Sequence, residues 1–103
     1  MNILDKILNH KKTEIEKIPE IHLESSNFKR LSLKKALKGD KISIIAEIKF
    51  ASPSEGMILR KGEHIQIAKD YENAGAAAIS VLTDRRFFNG DIKFLKDIKN
   101  AVN

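Results

Sequence analysis

The run ISIIAEIKFASPSEG, from Ile42 to Gly56, changes character halfway. Ile42, Ile44, Ile45, Ala46 and Ile48 make an apolar stretch of the kind found in buried parallel strands. Glu47 and Lys49 close that stretch, and Phe50, Ala51, Ser52, Pro53 and Ser54 follow at once. Side chains alternate along a strand, so Ile44, Ala46 and Ile48 face one way and Ile45, Glu47 and Lys49 the other. A carboxylate and an ammonium are thereby set side by side at the carboxyl end of a strand. In α/β proteins that end is where ligands bind, because the loops that carry polar groups leave the sheet there.

Downstream, Ser52, Pro53, Ser54 and Gly56 mark a loop over residues 50–62. Strand-to-helix links usually take ~2–6 residues, so a loop of this length inside a compact domain points to function, a lid being one such role. Residues 63–73 place Ile67, Ala68 and Tyr71, with Ala74 just beyond, on one helical face, and Gly75 closes that helix. Residues 76–83 form a second apolar strand whose end is again polar: Thr83, Asp84, Arg85 and Arg86. After Phe87, Phe88 and an Asn89-Gly90 turn, Asp91 is placed to cap a helix that buries Phe94, Leu95, Ile98, Ala101 and Val102.

Upstream, Ile3, Leu4, Ile7, Leu8, Ile15 and Ile18 recur near helical spacing. They predict an amphipathic helix over 3–17, capped by Asn2 and stopped by Pro19. Residues 20–27 lack a period and read as an extended connection. Ser32 then caps a short helix carrying Leu33, Ala36 and Leu37, with Gly39 just past its end. A helical region, 1–41, thus precedes a β/α region, 42–103. A strand, a crossover helix and a second strand give a parallel pair by the right-handed connection. Two parallel strands are too few to stand alone. The chain is therefore expected to be a piece of a larger β/α array, or to complete its sheet by association.

The composition sets outer bounds. The chain has 103 residues, 42% apolar and 32% charged, the make-up of one small globular domain with a charged surface. The absence of cysteine excludes disulfides and thiolate metal sites and fits the cytoplasm. Asp5, Lys6 and His10 interrupt the amino-terminal apolar residues, against a signal peptide, and no segment approaches the ~20 apolar residues of a membrane span. The net charge of +5 invites a nucleic-acid reading, with Phe28, Lys29, Arg30, Lys34 and Lys35 as its densest basic cluster. Most lysines, however, stand beside acids on helical stretches, as on solvated faces, and a modest positive field equally suits a small anionic substrate.

Other residues have plain readings. His10, His22 and His64 show no ligand-like spacing and are expected at the surface. Ser52 has no His or Asp arrangement that would make it a nucleophile, so a turn or binding role is expected. Asp84 beside Arg85 and Arg86 reads as a charged loop. Phe87 and Phe88 either plug the top of a barrel or lie exposed. Glu47 and Lys49 taken alone would suit the wet face of an edge strand; the serine-proline loop attached to them favours a site.

AEIKFASPSEG from Ala46 to Gly56, with ISVLTD from Ile79 to Asp84 and FFNGD from Phe87 to Asp91, closely resembles the amino-terminal part of the indole-3-glycerol-phosphate synthases, (β/α)8 TIM barrels of tryptophan biosynthesis. The resemblance runs the length of the chain. Since such barrels take ~250 residues, it implies a helical extension plus the first two β/α units, with about six units outside this sequence. It further implies a lyase reaction, without cofactor or metal: ring closure of 1-(2-carboxyphenylamino)-1-deoxyribulose 5-phosphate with loss of carbon dioxide and water. By the same resemblance Lys49 contacts substrate and takes part in acid catalysis, and Glu47 lies among the catalytic charges. Ser52 helps hold the substrate carboxylate, Pro53 shapes its loop, and Phe88 stands at the mouth of the site. The family's principal acid lies on strand three, its base on strand five and much of its phosphate site on strands seven and eight. None of these is in this sequence, so the chain alone is expected to be close to inactive. A phosphorylated anionic small molecule is the implied partner, with neither nucleic acid nor membrane. Two other classes stay open: a non-catalytic module that pairs with the missing barrel part or with a second copy of itself, and a basic nucleic-acid-binding domain.

Overall fold

The chain is described here from a computed structural model covering residues 1–20 and 30–103, in two units, Met1–Leu31 and Ser32–Asn103. The connection expected after Glu20, His22, and Phe28 and Lys29 of the basic cluster fall outside the described residues. In the first unit, helix α1 spans Ile3–Glu16. Its cap is the one expected: the Asn2 side chain accepts from the Asp5 amide at 2.8 Å, satisfying a donor the helix itself cannot.

The second unit opens with a single helical turn, α2, Leu33–Ala36, whose Ser32 hydroxyl accepts from the Lys35 amide at 3.2 Å. Gly39 follows at φ +126°, a conformation that favours glycine. Strand β1 is Ile45–Ile48, shorter than the expected 42–49. Pairing decides its length. The parallel partner farther along the chain is only four residues long, Ala78–Val81, and the ladder gains one bond at each end, Ala77 N–H to Ile44 O at 2.9 Å and Leu82 N–H to Ile48 O at 3.1 Å. Ile42, a β-branched residue suited to a strand, and Ser43 lie outside that ladder.

The segment read as a long loop is a hairpin instead. Strands β2, Ala51–Ser52, and β3, Gly56–Met57, pair antiparallel around Pro53, Ser54 and Glu55. The Phe50 carbonyl then accepts from both Ile58 at 2.7 Å and Leu59 at 3.0 Å, so the backbone polar groups find partners close at hand. Helix α3, Glu63–Asn73, has the expected bounds, and Gly75 lies in the left-handed region at φ +95°. Strand β4, Ala78–Val81, pairs with β1 in register Glu47 with Ser80 and Ile48 with Val81. Helix α4, Ile92–Ala101, starts where Asp91 accepts from the Lys93 amide at 3.0 Å.

The core lies between one face of the β1–β4 pair and helices α3 and α4. Ile48 and Phe50 are fully buried, Ala68, Phe94 and Ile98 join them, and Ile79, Val81, Ile67 and Tyr71 pack at the margin. Phe50 stacks on Phe94 with ring centroids 4.3 Å apart, and His64 tilts against both, at 5.4 Å and 4.7 Å. This corrects two expectations. His64, expected at the surface, is 3% exposed, because Asp97 on α4 accepts from its Nε2 at 2.9 Å and leaves a flat ring to pack against the stacked phenylalanines. Leu95, expected in the core, is exposed, since α4 turns only the stripe of Phe94 and Ile98 inward.

Candidate functional site at the carboxyl ends of the strands

Alternation along β1 puts Ile48 into the core and therefore Glu47 on the face of the sheet away from α3 and α4. Glu47 is exposed there and its parallel partner Ser80 shares the face; the Ser80 hydroxyl donates to Glu47 Oε2 at 3.4 Å. The backbone of Glu47 is held from the other side, where the Tyr71 hydroxyl donates to its carbonyl at 3.2 Å. Lys49 leaves the end of β1 half-buried, and among the described residues no carboxylate pairs with its ammonium. An exposed carboxylate and an unpaired ammonium at one strand end can bind an anion and move a proton.

Ser52 is buried in the hairpin. Its Oγ accepts from the Glu55 amide at 3.1 Å and lies 3.4 Å from Ser54 Oγ. A hydroxyl that accepts a backbone N–H still has its own proton to donate, so the turn role and a carboxylate-binding role are compatible. Pro53 is exposed at the tip of that turn. Phe88 is half-buried in the loop after β4, and its carbonyl accepts from the Ala51 amide at 3.2 Å. The two loops that carry Ser52 and Phe88 are thus joined through their backbones.

Asp84 stands in a charged loop, as expected, beside the exposed Arg85 and Arg86, and it also ties that loop together. Its Oδ2 accepts from the Phe87 amide at 2.7 Å and its carbonyl from the Gly90 amide at 2.6 Å, while Asn89, at φ +51°, donates to the Arg85 carbonyl at 3.2 Å. An Asp that accepts from the amide three residues on satisfies a backbone donor as a helix cap does, and that spacing is present in DRRF. Arg85 pairs with Asp91 at 3.2 Å. The Lys93 amide, and secondarily Arg85, hold the Asp91 carboxyl below its ordinary range. Phe87 is half-buried, with the Arg86 guanidinium 5.4 Å from its ring centre.

Ser80 was not singled out in the sequence and Tyr71 was read only as part of a helical face, because their links to Glu47 depend on strand register and helix placement, with sequence separations of 33 and 24. Among the described residues no three His, Cys, Asp or Glu side chains stand together in a way that would hold a metal ion, and no helix is long and apolar enough to cross a membrane.

A family model described as indole-3-glycerol phosphate synthase matches residues 4–103. Curated relatives bear the same name. One from Geobacillus sp. (strain WCH70) is 48% identical over 102 residues, 97% of this chain and 39% of the relative. Another from Bacillus velezensis is 47% identical over 102 residues, 97% of this chain and 40% of the relative. A third from Ruminiclostridium cellulolyticum is 43% identical over 109 residues, 97% of this chain and 42% of the relative. The chain spans about 40% of the length of the curated relatives it matches.

Proposed function

Because this chain belongs to the indole-3-glycerol phosphate synthase family, whose fold is the TIM barrel, we propose that residues 1–41 form its helical extension and 42–103 its first two β/α units. On this reading the chain supplies one wall of a synthase site, in a decarboxylating ring closure of tryptophan biosynthesis carried out in the cytoplasm. The observation that supports it most is the placing of Glu47 on the sheet face that α3 and α4 leave bare, next to Lys49 and to the joined Ser52 and Phe88 loops. The substrate is 1-(2-carboxyphenylamino)-1-deoxyribulose 5-phosphate, an anion at both ends.

Ring closure forms a bond between the aromatic carbon that bears the carboxylate and the ketone carbon of the sugar chain. Negative charge grows on the ketone oxygen as that bond forms, and an ammonium within reach lowers the barrier by meeting it. Lys49 is that ammonium and donates the proton. Glu47, held by Ser80, adds a carboxylate to the same wall of the site. Ser52 donates to the substrate carboxylate until carbon dioxide leaves, Pro53 fixes the turn that presents it, and Phe88 lies against the aromatic ring. The acid and base that finish the dehydration come from residues outside Met1–Asn103, as does most of the phosphate site. Ile42, Ile44 and Ile45, exposed along and before β1, are covered by that remainder of the barrel or by a second copy of this chain.

The test is to join the chain to the remaining residues of the Geobacillus sp. relative and assay indole-3-glycerol phosphate formation. Turnover by the joined protein and none by the 103-residue chain is the expected pair of results. Substantial turnover by the chain alone would sink the single-wall reading, and an inactive but folded joined protein would count against the synthase assignment.

A further inference from the structure

The loop after β4 is fixed from two directions, and neither fixing point belongs to the residues that face substrate. Asp84 anchors its start and middle, accepting from Phe87 through the carboxylate and from Gly90 through the carbonyl. Gly90 anchors its end by close approach. The residue is buried, and a Cβ there would lie 2.3 Å from the Leu82 carbonyl oxygen and 2.8 Å from Thr83 backbone atoms, so any side chain must push the loop off the end of β4. Between these anchors stands Phe88, whose carbonyl accepts from Ala51, one residue before Ser52 in the hairpin. Ser52 is in turn rigidly placed, because its own hydroxyl closes the turn at Glu55.

We propose that Asp84 and Gly90 are positioning residues: by fixing Phe88 against β4 they set, through the Phe88 carbonyl, where the Ser52 hairpin sits. The hairpin and the aromatic loop then move as one unit. The gap between a carboxylate-binding hydroxyl and an aromatic ring is held constant, which suits a ligand whose carboxylate is attached directly to an aromatic ring. That last step rests on the synthase reading; the coupling of the two loops does not.

Amide hydrogen exchange on the chain joined to the remaining residues of the Geobacillus sp. relative tests the coupling without any ligand. In Asp84→Ala the Ala51 amide should exchange roughly tenfold faster, the scale of one lost hydrogen bond, while the Ala68 and Ile98 amides keep their wild-type rates. Asp84→Asn retains an acceptor for the Phe87 amide and should restore slow exchange at Ala51. Gly90→Ala should reproduce the Asp84→Ala pattern; if it unfolds, the two Asp84 variants still decide. An unchanged Ala51 rate in Asp84→Ala, or a rise shared equally by Ala68 and Ile98, would overturn the proposal. Because no substrate is involved, that failure is distinct from an inactive joined protein.

Discussion

The β1–β4 pair has two faces built from neighbouring residues of the same strands, and they have opposite surroundings. One face carries Ile48, Ile79 and Val81 into contact with Phe50, Ala68, Phe94 and Ile98, where apolar area leaves water. The other carries Ile45, Glu47 and Ser80, with Ile45 half exposed and Glu47 in water. The buried face holds the unit together, since burial is worth about 25 cal/mol per Å² of apolar surface. The bare face contributes little to stability and holds the groups that can do chemistry. A one-residue step along β1, from Glu47 to Ile48, crosses from one regime to the other.

That contrast is tested by substitutions on each face. Phe50→Ala removes a fully buried ring stacked on Phe94 and should cost about 3–5 kcal/mol in urea denaturation, enough to unfold a unit of this size. On the bare face, Ile45→Ala should cost under about 1 kcal/mol, and equal losses at the two positions would break the comparison. Next in size is the buried imidazole. Asp97→Ala leaves the His64 Nε2–H without its acceptor and should cost about 1–3 kcal/mol, toward the lower end because water reaches the half-exposed position. His64→Leu should cost less than Asp97→Ala, since it removes the paired nitrogen together with Nδ1, which has no partner in the fold. Glu47→Gln and Lys49→Met should each change the denaturation midpoint by less than the equivalent of about 0.5 kcal/mol.

The smallest effect concerns pH. The Asp91 carboxyl titrates below its ordinary value of 3.8, so the folded state binds fewer protons there than the unfolded chain. Its contribution to stability is therefore present above that ordinary value and is lost as pH falls through the lower folded one. Asp91→Asn keeps the cap without the charge. Denaturation midpoints measured across the acid range should fall slightly less for this variant than for the parent below the ordinary carboxylate value, and an identical fall would remove Asp91 from the acid response.

Local signals in the sequence located most of the fold. Asn2, Ser32 and Asp91 cap helices because capping needs only neighbours in the chain, and the apolar spacing of α3 set its bounds. Strand lengths were overestimated because apolar character shows what a residue tolerates, whereas the ladder depends on a partner of limited length. The burial of Phe50 was not anticipated and His64 was wrongly expected at the surface for a related reason: their burial depends on Phe94 and Asp97, far along the chain. At the site, the face of Glu47 followed from alternation, and the hairpin around Ser52 from its turn residues only in part. The tie between Ala51 and Phe88 had no local signature at all.

On the proposed synthase reading the bare face, and Lys49 above all, carries chemistry and not stability. The most direct measurement is kcat/KM of Lys49→Met in the chain joined to the remainder of the Geobacillus sp. relative, with the denaturation midpoint taken on the same sample. A loss of roughly 100-fold or more at an unchanged midpoint is expected. Turnover close to the parent's, or a loss that tracks a fallen midpoint, would contradict it.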